Sequence, residues 1–208
     1  MKKFLLVDDH IVVRSGIKGL LSEIYKPAEI DEAGDGDGAT EKLKHHTYDL
    51  IMMDIQMPNT DTLGLMEYIH IKYPMAKVLI FSMSSEKIYA KRFMKAGAKG
   101  FISKEAPLEE IKKAINLILN ERMYISETLA NSLAEESFSD VSSNPFDKLS
   151  AREFEIVSLL LLGHTVSEIS KSLNLQVSTV GTHKARLLEK LGVTNILELK
   201  ELAVSFNL

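Results

Sequence analysis

The 208 residues include no cysteine, which excludes disulfides, thiol nucleophiles and cysteine-ligated metal centres. No apolar run approaches the ~18 residues needed to cross a bilayer. Only Phe4-Leu5-Leu6-Val7 separates Met1-Lys2-Lys3 from Asp8, too short a run for a secretory signal. The chain is therefore expected in the cytoplasm and away from membranes. A basic surplus is also missing, since the net charge is −4, which at first sight argues against nucleic-acid binding. No internal repeat or long low-complexity tract is apparent.

The charge is unevenly spread. Residues 1–120 carry 17 basic and 17 acidic side chains, residues 121–147 carry 1 and 6, and residues 148–208 carry 7 and 6. The negative excess sits in a middle stretch rich in serine and acid that runs to Pro145. It reads as an acidic linker over 121–147, with 126–133 open to a helical extension. Three parts follow: 1–120, the linker, and 148–208. With 45% apolar residues, two small domains can each bury a core.

In the first part, apolar runs at 4–8, 28–33, 50–54, 78–82 and 99–102 read as strands. Helical spacing over 17–24, 39–45, 63–71, 86–95 and 108–119 places a helix after each. Five β-α pairs predict a doubly wound, five-stranded parallel sheet. Neighbouring strands of such a sheet send their carboxyl ends into one crevice. Asp8 and Asp9 end the first run and Asp54 ends the third. Three clustered acids repel unless a hard divalent cation joins them, and Mg²⁺ commonly accompanies phosphoryl groups. Ser82 and Lys104 end two further runs.

Taken singly, each of these is as well explained as a solvated loop residue or a turn former. Taken in order, the strand-end acids, hydroxyl and lysine resemble the receiver domain of two-component response regulators, a flavodoxin-like fold, over residues 1–120. The resemblance implies that Asp54 accepts a phosphoryl group from a sensor histidine kinase. It implies that Asp9, Asp54 and the backbone carbonyl of Gln56 ligate Mg²⁺ directly, with Asp8 acting through bound water. Lys104 pairs with phosphate oxygen, and Ser82 turns inward to the new phosphate with Phe101 following, although a core aromatic explains Phe101 nearly as well. Two positions depart from the family pattern. Thr62 stands where glycine is usual, which strains any backbone needing positive φ, and the bulky Met83 follows Ser82, where it is expected to crowd Asp54.

The last part announces its helices by their caps. Ser150-Ala151-Arg152-Glu153 and Thr165-Val166-Ser167-Glu168 have capping-box spacing, Asn195 to Glu198 is a looser version, and Leu149 and Phe154 flank the first box as a staple. Helices over 166–173 and 178–191 have helix-turn-helix proportions. Leu149-Ser150, Arg152-Glu153, Gly163, Glu168-Ile169, Leu173, Thr179-Val180, His183 and Lys190-Leu191-Gly192 closely resemble the LuxR-type module. Receiver plus this module is the NarL/FixJ arrangement. A helical bundle that binds protein needs only amphipathic helices and not these matches.

On a 100° wheel Val180, Leu187 and Leu191 face the core. Ser178, Thr179, Gly181, Thr182, His183, Lys184, Ala185 and Arg186 are the candidate DNA-facing residues, with Lys184 suited to phosphate and His183 partly buried. Lysine is frequent in the family where this chain has Gly181 and Ala185, so paired half-sites are expected to supply affinity. Gln176 caps weakly, so the helix begins near Ser178 or has a loose first turn. On the last helix Ile196 and Leu199 suit the core, and because this helix also serves dimerisation in the family the module resembles, the resemblance leaves Leu202 and Phe206 for a second subunit.

The reading is a phosphorylation-activated transcriptional regulator, dimeric when bound to promoter DNA, and no enzyme beyond its own phosphorylation and dephosphorylation. No ATP-binding loop is visible, so the kinase is a separate protein. The rival readings are an orphan regulator independent of phosphorylation and a Mg²⁺-dependent aspartyl-phosphate phosphatase. Against the phosphatase, Gln56 occupies the place of the second acid that such an enzyme needs.

Overall fold

The computed structural model describes residues 1–58, 60–138, 144–173, 175–206 and 208. They divide into two compact units, Met1–Ala130 and Asn131–Leu208. In the first, β1 (Lys2–Val7), β2 (Ala28–Ala33), β3 (Leu50–Met53), β4 (Val78–Ser82) and β5 (Gly100–Ser103) form a parallel sheet in the order β2-β1-β3-β4-β5. Helices α1 (Ile11–Ile24), α2 (Gly36–His45), α3 (Thr62–Lys72), α4 (Glu86–Lys95) and α5 (Leu108–Leu119) alternate with the strands, giving the expected doubly wound fold.

The strand sequences explain this arrangement. Leu50-Ile51-Met52-Met53 and Val78-Leu79-Ile80-Phe81-Ser82 are buried at every position, because a parallel sheet is covered on both faces and its strands need no polar side. Alternate residues Phe4, Leu6, Leu50, Met52, Leu79, Phe81 and Ile102 pack on Ile17 and Leu21 of α1 and on Ile111, Ala114, Ile115 and Ile118 of α5. Edge strand β2 is only half-buried over most of its length and carries Glu29, Asp31 and Glu32, charges that discourage pairing with a further strand.

The expected linker is partly structured. Tyr124 bridges to Gly100 at the start of β5, its hydroxyl donates to Glu110 at 2.6 Å, and Leu129 is buried. Helix α6 (Glu127–Phe138) follows. Its start is fixed by Ser126, whose hydroxyl accepts the Leu129 amide at 3.0 Å and donates to Glu86 at 2.7 Å. Burial pushes the Glu86 carboxyl up, against the opposing effect of Ser126. The apolar residues Tyr124 and Leu129 have a core to enter, which the acidic composition around them conceals. Residues 139–143 of the expected linker lie outside the described residues.

In the second unit a 3₁₀ turn (Pro145–Lys148) leads into α7 (Ala151–Leu161), α8 (Val166–Ser172), α9 (Val177–Leu191) and α10 (Ile196–Ser205). Both capping boxes form, each with its serine or threonine and its glutamate bonded reciprocally, and such a cap contributes about 1 kcal/mol. Gly192 ends α9 in the left-handed conformation at φ 68°, where a Cβ is strained. Glu153 also accepts from Lys190 of α9 at 2.6 Å while only 3% exposed, so a charged bond ties the start of α7 to the end of α9.

Burial pushes the Glu153 carboxyl up, but Lys190 and Ser150 outweigh it and hold it below its usual range. A depressed folded-state pKa means that the pair's stabilisation is present above the unfolded carboxylate range and is lost as pH falls through the folded value. Lys190→Ala is therefore expected to cost the second unit about 1–3 kcal/mol near neutrality, with the deficit shrinking in acid. Thermal unfolding of parent and variant across pH checks this, and a pH-independent deficit would contradict it.

Candidate functional site

The sheet ladder continues one residue past the strands and so fixes each candidate side chain. The Asp8 amide donates to Ala33 at 3.1 Å, Asp54 to Val7 at 2.8 Å and Lys104 to Ser82 at 3.0 Å. These residues meet where β1 separates β2 from β3, the point at which strand order reverses and a crevice opens beyond the carboxyl ends.

Asp54, only 3% exposed, is held by donors on both oxygens. One accepts from the Ile55 amide at 2.6 Å, the Gln56 amide at 3.1 Å and the Ser82 hydroxyl at 2.6 Å. The other accepts from the Lys104 ammonium at 2.6 Å. The same ammonium lies 2.6 Å from Asp8. Burial alone would lower the Lys104 pKa, but Asp54 and Asp8 outweigh it and raise the ammonium above its usual value. Lys104 therefore stays charged, bridging two carboxylates.

Asp9 sits at the mouth, and one of its oxygens is buried without accepting any hydrogen bond, although His10 Nδ1 lies 2.8 Å away. Ligand atoms of Asp8, Asp9, His10 and Asp54 all lie within 4.8 Å of one another. An under-coordinated carboxylate oxygen beside two more carboxylates fits a hard divalent cation. The sequence reading passed over His10, whose direct succession to Asp8-Asp9 was the available signal.

Ser82 donates to Asp54 and Phe101 is 1% exposed. One expectation needs correction. Thr62 carries no strain: among the described residues only Glu121 combines a side chain with positive φ. Thr62 is instead the first residue of α3, with its hydroxyl donating to Ile55 at 2.9 Å. Asp61 caps that helix by accepting from the Gly64 amide at 2.7 Å. Met83 is 57% exposed, immediately after Ser82.

In the second unit Val180, Leu187 and Leu191 are the buried face of α9, as the wheel predicts. Ser178, Gly181, Thr182, Ala185 and Arg186 are exposed, and Thr179, His183 and Lys184 are half-buried at the flanks. The helix begins at Val177, one residue before the expected start, and the Gln176 side chain makes no capping bond. On α10 the expected partner-facing pair is not the outermost. Phe206 packs edge-on against Phe146 with ring centroids 6.3 Å apart, whereas Leu197 and Val204 are 69% and 73% exposed. The signal for Phe206 was missed because Phe146 lies sixty residues away in the chain.

The crowding of acids has a measurable cost. Asp9→Asn is expected to raise the thermal midpoint in the absence of Mg²⁺, by about 0.5–2 kcal/mol of stability, and to remove most of any added stability that Mg²⁺ brings. Thermal melts with and without Mg²⁺ check both, and an unchanged or lower midpoint in its absence would show that the acids do not repel significantly.

Residues 4–116 match the response regulator receiver domain and residues 147–203 the bacterial regulatory proteins of the luxR family. The chain is 36% identical to response regulator GacA of Pseudomonas aeruginosa, over 98% of this chain and 96% of that protein. It is 32% identical to response regulator UvrY of Escherichia coli K12, over 100% and 96%. A structure of RcsB from Salmonella enterica serovar Typhimurium, bound to the rprA promoter with the phosphomimetic BeF₃⁻, aligns over 97% of both chains with a TM-score of 0.74 at 23% identity. That likeness supports the fold. No helix among the described residues is long and apolar enough to cross a membrane. The sheet-end carboxylates, the capped helices and these likenesses agree, and the chain belongs to the NarL/FixJ family of two-component response regulators, in which a receiver domain is joined to a LuxR-type DNA-binding domain.

Proposed function

We propose that this regulator is switched by a phosphoryl group on Asp54. Residues 1–120 act as receiver, 148–208 bind promoter DNA and 121–147 connect them. The observation that carries the reading is the Asp54 carboxylate, held on one oxygen by Ile55, Gln56 and Ser82 and on the other by Lys104. A nucleophile held in one orientation is what phosphoryl transfer asks of a protein. An oxygen of Asp54 attacks phosphorus in a phosphohistidine of a sensor kinase, the P–N bond breaks, and the imidazole leaves with the electron pair. The charge of Lys104 is already in place for the phosphoryl oxygens, and the Ser82 hydroxyl is within reach of one of them.

Asp9, Asp54 and the Gln56 carbonyl would hold Mg²⁺, with Asp8 acting through bound water. When bound, the ion neutralises charge on the transferring group. Ile11 and Val12, 68% and 84% exposed at the start of α1, give a kinase an apolar foothold beside this pocket. The protein works in the cytoplasm, where such a kinase presents its phosphohistidine.

The output is DNA binding by α9 in the major groove. Arg186 is the base-reading candidate and Lys184 the phosphate contact, with Thr182, Ser178 and Thr179 completing the face and His183 buttressing it. Gly181 and Ala185 offer no donors, so a dimer on paired half-sites supplies the affinity, with the exposed Leu197 and Val204 of α10 available to the second subunit.

A second reading, an orphan regulator that binds DNA without phosphorylation, rests on the departure from the family pattern at Met83, 57% exposed beside Ser82.

Intact mass after incubation with Mg²⁺ and acetyl phosphate is expected to show one added phosphoryl group on the parent and none on Asp54→Asn. Promoter binding that rises on phosphorylation supports the first reading, and full affinity in Asp54→Asn supports the second. Arg186→Ala is expected to cost about 1–3 kcal/mol of DNA affinity and relax one base preference, while Lys184→Ala lowers the salt slope by about one; fluorescence anisotropy against salt separates the two. Met83→Ala is expected to hasten dephosphorylation of Asp54, and equal decay rates would show that Met83 does not crowd the site.

A further inference from the structure

We infer that Arg14 is a positioning residue of the acid pocket, anchoring the backbone at Asp8 so that Asp8 and Asp9 are aimed at the cation. The inference rests on the receiver reading above. It concerns a residue that touches neither phosphate nor metal.

The turn from β1 into α1 needs such an anchor. His10 occupies the N-cap of α1 but its side chain makes no capping bond, so the ordinary device for fixing a helix entry is absent. The Asp8 amide is already bonded to Ala33 and its carboxylate to Lys104, and two further bonds act on the turn itself. The Asp8 carboxylate accepts the His10 amide at 2.8 Å, and the Asp8 carbonyl accepts from Arg14 Nη1 at 2.5 Å. The first ties the turn to itself. The second fixes the carbonyl side of Asp8, from which the chain leaves toward Asp9, to α1 and β2.

Arg14 can serve as that tie because its own guanidinium is fixed. Nε donates to Glu32 of β2 at 3.1 Å, and Glu32 also accepts from Lys18, one turn farther along α1, at 2.7 Å. The side chain of Arg14 is only 14% exposed. Lys18 and Arg14 together hold the Glu32 carboxyl below its usual range, which keeps the clamp charged at neutral pH. The guanidinium thus joins the end of β1, the first turns of α1 and the end of β2. It also lines, with Asp8 and Asp54, a small cleft beneath the pocket.

The chemistry requires arginine. Its planar fork engages the Asp8 carbonyl through one nitrogen and Glu32 through another, whereas an ammonium is a single point that cannot hold both in this geometry. Groups that orient metal ligands in this way typically change metal affinity by about tenfold or more when removed. The effect belongs on cation binding and not on the maximal rate, since the nucleophile Asp54 is held by other donors.

The test is calorimetric titration of the full chain with Mg²⁺ and no phosphodonor, in the parent, Arg14→Lys, Arg14→Ala and Glu32→Gln. Arg14→Lys and Arg14→Ala are expected to bind Mg²⁺ about tenfold more weakly, and Glu32→Gln, which frees one side of the fork, less so. With acetyl phosphate, the Mg²⁺ concentration for half-maximal phosphorylation should rise while the rate at saturating Mg²⁺ stays near the parent's. Parental Mg²⁺ affinity in the two arginine variants overturns the inference, whether or not their thermal midpoints fall. Should neither fold, parental affinity in Glu32→Gln overturns it. A parent that binds no Mg²⁺ would instead sink the receiver reading.

Discussion

Lys104 lies between Asp8 and Asp54, 2.6 Å from each, and the receiver unit is organised around keeping it there. The three side chains come from the ends of three strands, so their meeting depends on sheet register. A slip of one residue would turn every strand-end side chain to the opposite face. The register is guarded by the continuous burial of β3 and β4 and by ladder bonds that run one residue beyond the strands. Hydrophobic packing and site chemistry are in this sense one constraint. The core sets the register, and the register gathers two carboxylates around one ammonium, with Asp9 at the mouth.

The strands and most helices of this unit were legible because a buried parallel strand is a continuous apolar run that ends abruptly in a polar residue. Asp8, Asp54, Ser82 and Lys104 each mark such an end. Less legible were contacts whose partners are remote in sequence. Arg14 reads as a surface arginine on a helix until Glu32 and the Asp8 carbonyl are seen beside it. The backbone at Thr62 depends on local geometry that residue types do not specify. Tyr124 and Leu129 were read with an acidic linker, since composition averages over the few apolar residues that find a core.

The second unit was legible for a different reason. Its helix starts are written in capping residues, and the buried stripe of α9 follows from a 3.6-residue period alone. Sequence spacing could not say which apolar residues of α10 lie outermost, because Phe206 is drawn inward by an aromatic partner from the 3₁₀ turn. The bond between Glu153 and Lys190 was equally hidden. Both residues belong to the matched motif, but nothing in their spacing shows that they meet.

That bond and the stripe of Val180, Leu187 and Leu191 fasten α9 from behind, while Ser178, Gly181, Thr182, Ala185 and Arg186 face outward. Exposed helix positions away from caps and buried partners usually change stability by less than about 0.5 kcal/mol when substituted. On the proposed reading, folding and operator choice are thus written on opposite sides of one helix. A duplicated copy of this gene could drift to a new operator one substitution at a time, each intermediate still folded and still answering to its receiver, so that inputs and targets can be re-wired independently.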